Sequence, residues 1–99
     1  MLLLNRKPGQ NLFIGDAVMC VTSIGHDKKG RYVELLISFS NGDDPIVKRM
    51  RTQEILVVRI RKNVEIHILQ IQRLIVKIGI EAPKSIDILR EEAKERKPQ

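Results

Sequence analysis

Aromatic side chains are almost missing from this chain: its 99 residues include no Trp, one Tyr and two Phe. That excludes the stacking platforms on which many single-strand binders lay successive bases. Cysteine is as scarce. The single Cys20 cannot form an intrachain disulfide, which fits a reducing compartment and leaves it as a small packed side chain in a strand. No long apolar run is present either. Met1 to Leu4 gives way at once to Asn5-Arg6-Lys7, too short for a signal-peptide core or a membrane span, so a cytoplasmic protein without membrane contact is expected. His26 and His67 lie far apart with no Cys or His at ligand spacing, so no metal site is expected. Nothing assembles a nucleophile, a base and an oxyanion donor, so neither catalysis nor a cofactor is expected.

What the chain does have is positive charge and short aliphatic runs. A net charge of +6 and a pI near 9.8 favour an anionic partner, most simply nucleic acid. With so few aromatics, an RNA binder of this composition must rely on backbone groups, aliphatic contacts and arginine. Hydrophobic content of 42% suffices for one compact domain over residues 1–99. β-branched and aliphatic stretches separated by Gly, Asn, Asp and Pro predict strands at 2–7, 12–14, 18–24, 31–39, 46–51, 55–61, 64–71, 74–80 and 85–89. Residues 25–30, between two glycines, read as a flexible hairpin loop. The one convincing helix comes last, with Glu91 and Glu92 in its first turn and Lys94, Arg96 and Lys97 towards its end, in accord with the helix dipole. The fold class is therefore all-β, mainly antiparallel, with a short C-terminal helix.

The sequence also echoes itself. Residues 12–24 align with 58–70, placing Ile14 on Ile60 and Val18 on Val64; residues 31–37 align with 74–80, placing Val33 on Val76 and Ile37 on Ile80. A third match sets 47–54 on 86–93, with Arg51 on Arg90.

Two blocks carry a specific resemblance: MLLLNRKPGQNLFIGDAV at one end and VKIGIEAPKSIDILREE at the other. Both resemble the carbon storage regulator (CsrA/RsmA) family of small bacterial RNA-binding proteins. The first matches the family's basic-ended opening strand, Gly turn and I-G-D step. The second matches its V-R-I-G, A-P-K and arginine followed by two acids. Members are about half as long and form intertwined homodimers, so the resemblance implies two subunits fused in one chain, about 1–54 and about 55–99, as a pseudo-dimeric β-sandwich. One subunit with an insertion of about 45 residues is the competing explanation.

The resemblance further implies that the chain is a translational regulator gripping GGA-containing loops in messenger leaders or small regulatory RNA. Its site would join the first strand, through Leu4, Asn5, Arg6 and Lys7, to Ala82, Pro83, Lys84, Ile88, Leu89 and Arg90. Arg90 offers a planar fork for phosphate or guanine, whereas Arg6, Lys7 and Lys84 would hold phosphates. Asn5 and Lys7 depart from the family's usual threonine and arginine. The second site would pair the strand at 55–61, with Arg59 and Arg61, to Arg51; it lacks the A-P-K and the Gly turn and is expected to be degenerate.

Without the resemblance, Arg90 is a surface residue at a helix start and Arg6-Lys7 a solvated strand end. A rival reading is a protein-interaction paralogue that binds a family subunit or a flagellar-assembly type of antagonist. Duplex-DNA binding through a β-ribbon is weaker still. A monomeric pseudo-dimer and a homodimer with exchanged halves both satisfy the same contacts.

Overall fold

The computed structural model describes residues 1–95, with side chains described through residue 93. Nine strands and one helical turn follow in order: β1 (Leu2–Arg6), β2 (Asn11–Ile14), β3 (Ala17–Asp27), β4 (Gly30–Phe39), β5 (Ile46–Met50), β6 (Ile55–Ile60), β7 (Lys62–Ile71), β8 (Val76–Glu81), β9 (Ile88–Arg90) and α1 (Glu91–Glu95). Every pairing is antiparallel. Sheet I has the order β1-β8-β7-β6, and sheet II the order β5-β4-β3-β2-β9.

Alternation explains why these segments are strands. In β4, Val33, Leu35 and Ile37 are fully buried while Ser38 is exposed; in β7, Val64, Ile66 and Ile68 are buried with Glu65 and His67 half-buried between them. These inward rows from both sheets form a single aliphatic core. Each fully buried Leu, Ile or Val contributes about 1.5–3 kcal/mol relative to exposure. His67 lies on the outer row, hydrogen-bonded to Glu65 Oε1 at 2.9 Å.

The two sheets are built alike in detail. Sheet II has a register shift between Val21 and Ser23, and sheet I has one between Ile68 and Gln70. Gly9 donates its N–H to Val21 O at 2.8 Å, and Gln53 donates to Ile68 O at 2.6 Å. The turns before β2 and β6 also match: Gln10 N to Lys7 O and Glu54 N to Arg51 O, each 3.1 Å. Lys7 N donates to Gln10 Oε1 and Arg51 N to Glu54 Oε1. Gly9 and Gln53 share positive φ, 89° and 71°. On β8, Arg6 stands opposite Val76 and Leu2 opposite Ile80; on β4, Met50 stands opposite Val33 and Ile46 opposite Ile37. So β5 is the counterpart of β1.

That register corrects the third alignment made from sequence. Arg51 matches Lys7 rather than Arg90, and β5 does not play the part of β9. Two other expectations shift. Residues 25–30 are no loop, because β3 and β4 continue to the Asp27–Gly30 pair and leave only Lys28 and Lys29 in a tight turn. Lys29 N donates to Asp27 Oδ1 at 2.9 Å, closing it. Ser85 to Asp87 are not strand: Ile86 N reaches back to Pro83 O at 3.0 Å, a turn that sinks Ile86 into the core. Glu91 and Glu92 do begin the helix, whereas Arg96 and Lys97 lie outside the described residues.

Candidate nucleic-acid interface

The first and last strands occupy different sheets. β1 is an edge of sheet I, β9 an edge of sheet II, and one side chain fastens them together. Arg6 ends β1 with its side chain turned inward, 2% exposed, and donates from Nη1 to Glu92 Oε1 at 3.0 Å and from Nη2 to Glu92 Oε2 at 2.6 Å. It also donates from Nε to Asn5 O at 2.8 Å and from Nη1 to Asn11 O at 3.2 Å. A buried guanidinium needs this many acceptors, since an unpaired buried charge costs several kcal/mol. The Arg6 hydrogen bonds hold the Glu92 carboxyl down to about 2, with Arg90 adding a smaller pull. Next to it, Asn11 N donates to Glu91 Oε2 at 3.2 Å, and Gly15 N donates to Asp87 O at 2.8 Å. β9 is thus pinned along β2 by backbone and acid together.

Of the arginine and the two acids that follow it, the acids have the structural job. Glu91 and Glu92 close the β1–β9 junction, leaving Arg90 exposed with no side-chain partner among the described residues. Arg6 was expected to hold phosphate. In this structure its Nε, Nη1 and Nη2 groups donate instead to Glu92 and two backbone carbonyls, and the side chain is buried. The sequence carried a signal for this: Arg6 shares the inward row of β1 with Leu4, which is 4% exposed and part of the core.

The remaining residues expected at this site sort by position along a strip. Asn5 and Lys7 are exposed at the Arg6 end. Beyond the other end of β1, after β8, come half-buried Ala82 and Pro83 and exposed Lys84. β1 itself spans roughly 13–17 Å at about 3.3 Å per residue. Half-buried Ile88 packs on the core, and Leu89 is exposed. Lys7, Lys84 and Arg90 are cations without side-chain partners among the described residues, able to meet an anionic ligand. Asn5 also lines a recess of about 260 Å³ with Gln70, Gln72, Ile75 and Lys77. That group was missed in sequence, because its members come from three strands and the β7–β8 turn and share no spacing.

The second expected constellation is not assembled. Arg51 pairs with Asp27, which lowers the Asp27 carboxyl, and donates from Nη1 to Gly30 O at 3.3 Å. It also lies beside the Tyr32 ring, whose centroid is 5.7 Å from Arg51 and 4.1 Å from Arg49. Arg59 and Arg61 are exposed at the opposite end of β6, with Arg61 3.9 Å from Asp16. β5 and β6 lie in different sheets, and no described strand covers the outer edge of β6.

A comparison of the sequence with protein-family models identifies CsrA, the global regulator protein family, over residues 46–99. The chain belongs to the CsrA family. No curated protein and no solved structure matches it. CsrA proteins are RNA-binding post-transcriptional regulators rather than enzymes. The CsrA match begins at the first residue of β5 and runs through β9 and α1. Among the described residues, no helix is long and apolar enough to cross a membrane, and no His, Cys, Asp or Glu cluster could hold a metal.

Proposed function

We propose that this chain is a CsrA-type translational regulator with one RNA site, the strip between β1 and β9, which takes a GGA-containing loop of a messenger leader. The observation that carries this reading is the Arg6–Glu92 junction, which holds the two edge strands together while Lys7, Lys84 and Arg90 stay unpaired. Those cations supply phosphate attraction, and Arg90 supplies the fork that reads a guanine edge. Pro83 keeps the Ala82–Lys84 corner extended before RNA arrives.

The same reading makes the chain two CsrA-like units that share one core. The unit boundary then falls at 45/46 rather than 54/55, in keeping with the matched span and with the equivalence of β5 to β1. The first unit is β1 to β4 and has no counterpart of β9. Its absence leaves the second site with only one of its two strands, so one RNA binds per chain.

Native mass spectrometry with a hairpin RNA carrying GGA in its loop, beside the same hairpin with that triplet scrambled, tests the proposal. One GGA hairpin per chain is expected, with the scrambled RNA much weaker. Two RNAs per chain would refute the single site, and equal binding of both hairpins would refute GGA recognition. No RNA bound, with a protein partner retained through purification, would transfer the reading to the protein-interaction paralogue.

A further inference from the structure

The outer edge of β6 is the place in this fold where two otherwise matching sheets differ. In sheet II the equivalent strand, β2, is covered by β9, with Phe13 opposite Leu89 and Gly15 N bonded to Asp87 O. In sheet I no described strand covers β6. Ile68 N donates to Glu54 O, so the hydrogen-bonded positions facing β7 continue at Leu56, Val58 and Ile60. The N–H and C=O groups of Ile55, Val57 and Arg59 consequently point outward. Their side chains share the outer face, where Ile55 and Val57 are 53% and 57% exposed.

Edge strands are normally guarded by charges, proline or bulges. β5 carries Lys48 and Arg49 along its length, and β9 is three residues long and ends in Arg90. β6 has a single charge, Arg59, next to its C-terminal end; Ile55 to Val58 have none of these guards, and the β6–β7 ladder runs without a register shift.

We infer that β6 is a self-association edge that pairs antiparallel with β6 of a second copy of this chain. A second copy offers the same open edge, and the strand meets its own reverse without conflict. A two-fold axis through Val57 sets Val57 against its own counterpart and Ile55 against Arg59 of the other copy, with no like charges face to face. The outward positions then satisfy one another through about six backbone hydrogen bonds, and sheet I becomes a continuous eight-stranded sheet. The pairing lies on the edge of sheet I opposite β1 and uses none of the residues assigned to the RNA site, so it stands independently of that site.

Sedimentation velocity and native mass spectrometry of the full chain, over a wide range of concentrations at physiological ionic strength, test this. Wild type is expected to pass from monomer to dimer as concentration rises. Val57→Lys places like charges together at the axis and is expected to abolish the dimer; since the side chain is exposed, the far-UV spectrum and melting temperature should not change. Val57→Glu alone is likewise expected to be monomeric. Mixing the two variants is expected to restore a dimer containing one of each, distinguishable by mass. A wild type that stays monomeric throughout overturns the inference, as does a dimer indifferent to Val57→Lys. A mixture that forms no mixed dimer overturns the Val57-centred register.

Discussion

Replacing Arg6 with methionine removes the charge at the β1–β9 junction while keeping a long, flexible side chain there. The chain itself supplies the precedent, because Met50 holds the equivalent register position on β5 at 1% exposure. Replacing a whole buried ion pair with apolar groups is often neutral, but removing one partner leaves the other uncompensated and destabilises. Arg6→Met takes the donor away from Glu92 and from the Asn5 and Asn11 carbonyls, so the melting temperature at neutral pH should fall. The pH dependence should change with it. Glu92 titrates near 2 in the folded chain against an ordinary 4.5, so its contribution to stability is complete above about 4.5 and is lost as pH falls towards 2. Between those values unfolding of the wild type takes up about one proton at Glu92, and in Arg6→Met most of that uptake disappears. Urea unfolding at a series of pH values measures the uptake, and the carboxyl resonance of Glu92 follows the group directly, moving most of the way back to 4.5. RNA affinity should fall as well, because Glu92 no longer ties β9 to β1. A variant that melts as the wild type does at neutral pH, or whose Glu92 still titrates near 2, would refute the argument that Arg6 is a structural clasp.

Other outcomes follow from the same geometry. Arg90→Ala should weaken GGA-hairpin binding by about 1–3 kcal/mol with the fold intact, whereas Lys84→Ala should weaken all RNAs alike and lower the slope of affinity against salt by about 1, both read by fluorescence anisotropy. Ile66→Ala, at a fully buried position in the middle of β7, should cost about 2–5 kcal/mol in chemical denaturation. Gln53 holds a left-handed conformation at φ 71°, where its counterpart is Gly9, so Gln53→Gly should raise stability by about 0.5–1 kcal/mol in the same assay.

Much of the architecture was legible in the residues, since strand position follows from alternation and turn chemistry, both local properties. The pairs Val33 with Val76 and Ile37 with Ile80 could be matched by sequence because they share the same offset inside long strands. Arg51 was matched to Arg90 for a reason that also explains the error. Both are arginines beside a short aliphatic strand with an acid soon after, and composition cannot tell which sheet edge such a strand will join. Edge choice depends on residues far away in the chain, here Val33 and Ile37 for β5 and Leu12 to Ile14 for β9. The inward turn of Arg6 was hidden in the same way. Its acceptors are a carboxylate 86 positions later and a carbonyl of the next strand, so a basic pair at a strand end looked solvated.

The outermost partners of the ladder also set the order in which the molecule can be completed. Leu2 pairs with Ile80, so β1 is made well before the strand it joins and has no sheet to enter until β8 exists. Such distant pairings slow folding, because a large loop must close before any of its contacts form. On the ribosome, β2, β3 and β4 can pair early as neighbours, while the apolar Leu2-Leu3-Leu4 segment waits exposed until β8 has been made. β9 and α1, made later still, latch it in place through Glu92. A chain truncated before Glu92 would leave its first strand without that latch and open to aggregation.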